Sequence, residues 1–190
     1  FVAGHETTAP GLAWALYLLG RHPEILRRVV EEADAFGDDP ETADLAALDL
    51  TTRVFKEALR LYPPVLMLPR RTLEDVEIGG TLLPKQTVVM VSTYAQHRRK
   101  EHWATPDAFH PDHFLPEAEK ARPKGAYLPF GAGPRFCIGM QFAMVEAKVI
   151  LAMVLRSFEV EVESPDAVAT DPGISLRPLG GMPARIRRRR

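Results

Sequence analysis

The stretch FGAGPRFCIG, residues Phe130–Gly139, contains the single cysteine of the chain, Cys137. Its glycines and proline predict an irregular turn, and the apolar segment after it predicts a central helix over about Ile138–Phe158. Cys137 is then expected at the N-terminus of that helix. There the helix dipole, free backbone N–H groups and the charge of Arg135 favour a thiolate over a thiol. Such a sulfur can be a metal ligand or a nucleophile, although a lone cysteine is more often a small core residue.

This ten-residue pattern resembles the haem signature of the cytochrome P450 family, F-x-x-G-x-R-x-C-x-G. All the defined positions match, namely Phe130, Gly133, Arg135, Cys137 and Gly139. The resemblance implies that Cys137 is the axial thiolate ligand of a haem iron and that Arg135 pairs with a haem propionate. It also implies that Phe130 packs near the sulfur, while Gly131 and Gly139 let backbone N–H groups approach it.

A second segment, AGHETT over Ala3–Thr8, resembles the oxygen-activation motif of the same family, A/G-G-x-D/E-T-T. In the family this motif lies on a long helix over the distal face of the haem. The resemblance implies that Glu6 and Thr7 relay protons to bound dioxygen. Taken alone, the same residues are typical of a helix N-terminal capping cluster. Pro10 cannot donate a hydrogen bond to the Glu6 carbonyl, which favours extra distortion of the helix.

A third match, EALR at residues 57–60, resembles the E-x-x-R motif of the family. The spacing places Glu57 and Arg60 on one face of a helix, and the resemblance implies a buried pair that locks the cysteine-loop region. The family adds a third residue from the motif F-x-P-E-R-F, which here reads FHPDHF over Phe109–Phe114. His113 replaces the usual arginine, so that one imidazole hydrogen bond stands in for a bidentate charged fork.

The position of Arg70 resembles that of a second propionate-binding arginine in the family, and the count back from Asp75 and Gly80 favours Arg70 over Arg71. A surface cation on a β edge is the alternative. Three residues shortly before this segment border the substrate pocket or belong to the core: Val65, Leu66 and Met67. Three histidines are interpreted as polar loop residues without a metal: His22, His97 and His102.

The rest of the sequence predicts a mainly α fold with a small β region, a partial cytochrome P450 fold. Three helices are predicted before the β region. The first has a buried face over Leu12–Leu19, the second spans Glu24–Phe36, and the third begins at a cap at Thr51 or Thr52 and ends at Pro63. The predicted strands are Val65–Leu68, Val76–Ile78 and Val88–Ser92. A loop is predicted at Gly37–Pro40 and a long irregular stretch over His97–Gly133. A hairpin is predicted over Ile174–Ile186, with its turn at Leu179–Met182.

Length and charge limit the other possibilities. The 190 residues suffice for one core, and a formal net charge of -1 gives no argument for a nucleic-acid partner. The single cysteine fits a reducing compartment such as the cytoplasm, and no apolar run reaches the roughly 18 residues of a membrane span. Because the chain opens at Phe1 in a helix-like segment, residues 1–190 are expected to be the C-terminal haem-binding part of a single domain. The N-terminal half, with any membrane anchor, is expected to be absent.

The resemblance implies a monooxygenase that uses haem b (iron protoporphyrin IX), O2 and a small hydrophobic organic substrate. Electrons from NAD(P)H would arrive through a ferredoxin- or flavoprotein-type donor, because the chain shows no flavin or nicotinamide pattern. The basic run Arg98–Lys100 either docks an acidic partner or is a solvated loop. Two alternatives stay open: a haem-thiolate peroxygenase or isomerase without an electron donor, and a non-catalytic haem-binding fragment.

Overall fold

The structure is a computed structural model that describes residues 2–36, 44–173 and 175–189. In this part of the chain the helices are α1 (Val2–Gly20), α2 (Pro23–Phe36), α3 (Asp49–Leu61), α4 (Thr93–Gln96), α5 (Pro116–Ala121) and α6 (Met140–Ser157). The strands are β1 (Met67–Arg71), β2 (Val76–Ile78), β3 (Thr81–Leu83), β4 (Val88–Ser92), β5 (Phe158–Val162), β6 (Thr170–Pro172), β7 (Leu176–Pro178) and β8 (Ala184–Arg188). The predicted fold class, mainly helical with a small β region, is confirmed.

The core lies where α1, α3 and α6 meet, with α2 packed against α6. The buried Trp14 of α1 stacks on Tyr62 at the end of α3, with ring centroids 4.0 Å apart. A Cβ atom on Gly11 would meet the Phe55 ring at 3.1 Å, so a glycine at this position lets α1 approach α3 closely. The aliphatic side chains of Leu151 and Leu155 from α6 complete this core.

The predicted cap of the third helix is wrong. Helix α3 begins at Asp49, so Thr51 and Thr52 lie inside it rather than before it. The side chain of Glu32 in α2 supplies the cap, since its carboxylate accepts hydrogen bonds from the backbone N–H groups of Leu50 and Thr51, each 2.7 Å long. A cap from a neighbouring helix satisfies the free N–H groups as well as a local one does, but it leaves no local sequence signal.

The strands follow the predicted runs closely. Strand β1 pairs with β4 in antiparallel register, with Met67 opposite Ser92, and β2 pairs with β3. The runs Val76–Ile78 and Val88–Ser92 are confirmed, whereas the run predicted to start at Val65 begins at Met67 and extends to Arg71. The loop predicted at Gly37–Pro40 lies outside the described residues.

The predicted C-terminal hairpin is wrong. Strand β7 pairs with β6, and strand β8 pairs with β5, so the segments on either side of Leu179–Met182 belong to different sheets. The cross-strand pairs of β8 favour this arrangement, because Glu159 faces Arg187 and Glu161 faces Arg185. A turn signal predicts a change of direction but does not reveal which strand is the partner.

The long irregular stretch before the cysteine is confirmed in outline. Between α4 and α6 the described chain forms two 3-10 turns, at Pro111–Phe114 and Gly133–Arg135, and the short helix α5. None of the helices in the described ranges is long and apolar enough to cross a membrane. The irregular stretch is held by contacts with α3, since its 3-10 turn at Pro111–Phe114 packs on that helix and Arg60 binds the carbonyls of His97, Pro106 and Ala108.

Candidate functional site

Cys137 lies in an exposed loop just before α6. The helix begins at Met140, so the predicted start near Ile138 was too early, and Cys137 precedes the first turn by three residues. The backbone N–H of Cys137 donates to the carbonyl of Phe130 at 3.0 Å, which closes the loop. A Cβ atom on Gly139 would lie 3.9 Å from the Cys137 sulfur, so this glycine keeps the surroundings of the sulfur open.

Two glycines give the cysteine loop, residues 128–139, its shape. Gly131 has φ +73° and Gly133 has φ +68°, both in the left-handed region that other residues adopt at a cost. The N–H of Gly131 donates to the carbonyl of Leu128 at 3.1 Å, and the N–H of Phe136 donates to the carbonyl of Gly133 at 3.0 Å. These turns reverse the chain twice and return Cys137 to the Phe130 carbonyl.

The cysteine loop forms one wall of a cavity of about 380 Å³. The opposite wall belongs to α1 and α3. Six of the predicted site residues line this cavity: Thr7, Phe130, Gly131, Arg135, Cys137 and Gly139. The remaining wall is largely apolar and includes Phe55, Leu59, Val65 and Leu68. A concave apolar space with a few converging polar groups is typical of a ligand or cofactor site.

Glu6 and Arg70 lie outside this cavity. The carboxylate of Glu6 is half exposed and lies 4.0 Å from the ring of His5, in a separate surface pocket that Pro10 also lines. The exposed Arg70 side chain lies on β1 and donates to the carbonyl of Pro69 at 2.8 Å. Glu6 thus adjoins the cavity only as the sequence neighbour of Thr7, which lines it. Arg70 lies on β1, the strand whose residue Leu68 lines the cavity.

Thr7 uses its hydroxyl within α1. The Oγ1 atom donates to the carbonyl of Ala3 at 2.8 Å, a bond that satisfies the hydroxyl while its oxygen can still accept. Helix α1 continues through Pro10 without interruption, so the distortion predicted from this proline does not break the helix. A hydroxyl held in this way at a cavity wall can accept one proton donor and pass its own proton on.

Glu57 and Arg60 form a pair with no exposed side-chain surface. Arg60 donates to both carboxylate oxygens of Glu57 at 2.7 Å. Its other donor positions bind backbone carbonyls, those of His97 at 3.0 Å, Pro106 at 2.5 Å and Ala108 at 2.8 Å. All five N–H groups of the guanidinium thus have an acceptor, as a buried arginine requires. The pair fastens α3 to the irregular stretch before the cysteine.

His113 joins this pair through one bond. Its Nδ1 atom lies 3.1 Å from Oε1 of Glu57, and its Nε2 atom lies 3.2 Å from the hydroxyl of Thr105. The backbone N–H of His110 donates to the same Glu57 oxygen at 2.9 Å. A single imidazole bond and a backbone N–H therefore occupy the lone pairs that a bidentate arginine would otherwise fill.

His97 was expected to be a polar loop residue and was not predicted to belong to the site. Its side chain is fully buried. Its Nε2 atom accepts a hydrogen bond from the backbone N–H of Leu128 at 2.8 Å. By contrast, His22 fits the expectation, since it is half buried at the turn between α1 and α2 and its Nδ1 atom lies 2.7 Å from the Leu18 carbonyl. Only the chain's fold brings His97 to Leu128, so no local pattern could have shown this contact.

The basic run Arg98–Lys100 does not form one cationic patch. The Arg98 guanidinium stacks over the Tyr94 ring at 3.8 Å and donates to the carbonyl of Leu61 at 2.6 Å. Only 17% of the Arg98 side chain is exposed, so it is not available to a docking partner. Arg99 is exposed and lies 3.4 Å from the carboxylate of Glu101.

The cavity fits a haem by the chemistry of its donors. It offers one thiol, one guanidinium and a largely apolar wall. Within residues 2–36, 44–173 and 175–189, no group of three His, Cys, Asp or Glu side chains could hold a metal ion. A single sulfur donor suits a metal whose other ligands come with the cofactor, as in haem, and Arg135 suits a propionate.

The comparisons with known proteins agree with this arrangement. The family model described as Cytochrome P450 matches residues 1–183. The chain is 42% identical to Cytochrome P450 4c3 of Drosophila melanogaster over 96% of its own length, and 42% identical to cyclooctatin synthase of Streptomyces melanosporofaciens over 92%. The crystal structure of the cytochrome P450DA heme domain superposes with a TM-score of 0.90 at 33% identity, covering 100% of this chain and 43% of that one.

This chain belongs to the cytochrome P450 family, whose cofactor is a haem. It spans 35% of the length of the Drosophila relative and 39% of the Streptomyces one. The matched segment includes the cysteine loop, the buried Glu57–Arg60 pair and the helix that carries Thr7.

Proposed function

We propose that this chain is the haem-binding C-terminal part of a single-domain haem-thiolate monooxygenase. One observation carries the proposal: Cys137 and Arg135 of the segment Phe130–Gly139 line one apolar cavity together with Thr7 of the distant segment Ala3–Thr8. The coverage of the relatives supports the view that a complete domain is longer than this chain. The experiments below therefore use the full-length protein, meaning this chain within a complete domain.

The proposed cofactor is haem b, which when bound supplies the chemistry that activates O2. Cys137 binds it through its thiolate, and the hydrogen bond from the Cys137 amide to the Phe130 carbonyl fixes the direction of that residue. Arg135 pairs with one propionate through charge-assisted hydrogen bonds. Arg70 pairs with the other by exchanging its bond to the Pro69 carbonyl, which an exposed side chain does at little cost.

Thr7 and Glu6 form the proposed proton relay. Thr7 lines the cavity and Glu6 lines the adjacent surface pocket, so that consecutive residues face the two sides of α1. A carboxylate that exchanges protons with solvent, next to a hydroxyl inside the cavity, can transfer protons inward without opening the apolar wall. O2 reduction consumes protons, and this is the role that the pair serves.

The proposed substrate is a small hydrophobic organic molecule, because Phe55, Leu59, Val65 and Leu68 leave few polar partners for a ligand in this part of the cavity. One oxygen atom of O2 enters the substrate and the other leaves as water. The two electrons come from NAD(P)H through a ferredoxin- or flavoprotein-type donor.

A haem-thiolate peroxygenase or isomerase that uses no electron donor is the second candidate, and the proposed relay of Glu6 and Thr7 argues against it. A peroxide-driven enzyme needs neither a donor protein nor a relay that serves O2. A non-catalytic haem protein is the third possibility. Turnover of a hydrophobic substrate by the full-length protein, with NAD(P)H plus a reductase system or with hydrogen peroxide alone, separates the three. Product that requires the reductase supports the monooxygenase. Product with hydrogen peroxide but none with the reductase system supports the peroxygenase, and haem uptake without product in either assay supports the third.

A further inference from the structure

His97 connects two parts of the site that lie far apart in the sequence. It follows the short helix α4, and its backbone carbonyl accepts a hydrogen bond from Arg60 at 3.0 Å. Its ring accepts a hydrogen bond from the N–H of Leu128 at 2.8 Å. One fully buried residue thus joins the Glu57–Arg60 pair of α3 to the start of the cysteine loop.

The contacts continue from Leu128 to the cysteine. The carbonyl of Leu128 accepts from the N–H of Gly131 at 3.1 Å, which forms the first turn of the loop. The carbonyl of Phe130, inside that turn, accepts from the N–H of Cys137 at 3.0 Å. Leu128 thus contacts His97 through its N–H and Gly131 through its carbonyl, so its backbone helps to fix the turn whose Phe130 carbonyl holds Cys137.

The hydrogen bond to Leu128 requires that Nε2 of His97 carry no proton. Burial lowers the pKa of His97 to about 3. The backbone carbonyls of Arg60 and Leu59 act in the opposite direction, while the positive charges of Arg60 and Arg98 lower the pKa further. The Tyr127 ring packs against the imidazole, with 5.1 Å between the two ring centroids. Near neutral pH the imidazole is uncharged, so Nε2 is a permanent acceptor.

We propose that His97 is a positioning residue for the thiolate ligand: through Leu128 it holds the cysteine loop so that the Cys137 sulfur stays directed at the haem iron. This inference rests on the proposed function, because it assumes that Cys137 is the ligand. The contact that it concerns, the His97–Leu128 hydrogen bond, is separate from the bond between Cys137 and the haem, and it can be tested without haem.

Three variants separate an acceptor role from a packing role. His97→Gln keeps an acceptor oxygen near the place of Nε2, whereas His97→Leu fills similar volume without one. His22→Leu is the matched control, because it removes a half-buried histidine that bonds the carbonyl of Leu18, away from the cysteine loop. Should His97→Leu fail to fold, His97→Asn replaces it, since its amide is too short to reach Leu128.

The first readout is amide hydrogen exchange at Leu128 in the full-length protein, with and without haem. The expected result is exchange about 10-fold or more faster in His97→Leu, which corresponds to about 1.4 kcal/mol of lost protection, and near wild type in His97→Gln. His22→Leu should leave Leu128 unchanged. Equal protection of Leu128 in wild type and in His97→Leu would overturn the inference.

The second readout is the state of the ligand, from the carbon monoxide difference spectrum and the haem reduction potential. We expect His97→Leu to convert part of the thiolate-type Soret band to the non-thiolate form and to shift the potential, and His97→Gln to restore both. Spectra and potentials that match wild type in His97→Leu, or that change equally in His97→Gln and His22→Leu, overturn the inference. If wild type itself lacks a thiolate band, the proposed function fails, and with it the role proposed for His97. The exchange at Leu128 then still reports whether His97 holds the loop.

Discussion

Arg60 donates two hydrogen bonds of 2.7 Å to the carboxylate of Glu57, and neither side chain has exposed surface. A buried ion pair adds little net stability against a well-packed apolar pair, because both charges lose their hydration. Loss of one partner is different, since it leaves the other charge buried without compensation. The pair therefore acts as a fixed junction between α3 and the chain that leads to Cys137.

Arg60→Leu should destabilise the full-length protein by about 3–5 kcal/mol, because the buried Glu57 carboxylate loses its arginine partner and three backbone carbonyls lose their donor. Urea unfolding measures this change. The control is Arg21→Leu, which removes an arginine from an exposed pair with Asp166 and should change stability far less. Similar losses in both variants would contradict the junction role of Arg60.

Stability should fall as the pH falls below 6.5, in part because of His97. Its pKa is about 3 in the folded protein against an ordinary value of 6.5. The unfolded chain therefore binds a proton that the folded protein excludes, and the free energy of unfolding decreases as pH falls through this window. From pH 7 to pH 5 the loss from His97 is about 2 kcal/mol.

His97→Gln lacks this titrating group, so its loss of stability between pH 7 and pH 5 should be smaller than that of wild type by the same amount. Urea unfolding at the two pH values gives the comparison. Identical pH dependence in wild type and variant would mean that the imidazole is not held neutral by burial.

Gly131→Ala should disturb the haem site through the backbone alone. Gly131 and Gly180 share the same φ, +73°, and a Cβ atom on Gly180 would meet nothing within 4 Å. Each alanine therefore costs about 1–2 kcal/mol of unfolding free energy from backbone strain. Only Gly131→Ala should also weaken haem retention, measured by haem transfer to apomyoglobin. Equal haem loss in both variants would show that the loop turn does not hold the site.

Thr7→Ala should uncouple electron use from product formation, because it removes the hydroxyl that we propose delivers protons inside the cavity. The expected result is unchanged haem content, less product, and more hydrogen peroxide per NAD(P)H consumed. Thr52→Ala is the matched control, since Thr52 also donates to a carbonyl four residues earlier, but in α3. Wild-type coupling in Thr7→Ala would remove the relay role.

Short-range sequence patterns predicted those helices and strands that depend mainly on neighbouring residues. The β-prone runs Val76–Ile78 and Val88–Ser92 coincide with β2 and β4, and the amphipathic run from Glu24 to Phe36 lies in α2. The start of α6 was placed early because Ile138 extends the apolar run. In the structure Ile138 is fully exposed, and Gly139 precedes the first helical residue.

Long-range partners could not be predicted from such patterns. The cap from Glu32, the pairing of β8 with β5 and the bond between His97 and Leu128 each join residues at least 18 positions apart. The motif resemblance did select the residues of the cavity, because six of them meet there. It did not show that Glu6 faces the other side of α1.

The central claim is that Cys137 binds the haem iron through its sulfur. The most direct measurement is the carbon monoxide difference spectrum of the reduced, haem-loaded full-length protein, beside that of Cys137→Ser. We expect a strongly red-shifted Soret band in wild type and its loss in Cys137→Ser, with the fold of both confirmed by circular dichroism. A band of the histidine-ligated type in wild type, or an unchanged spectrum in Cys137→Ser, would contradict it.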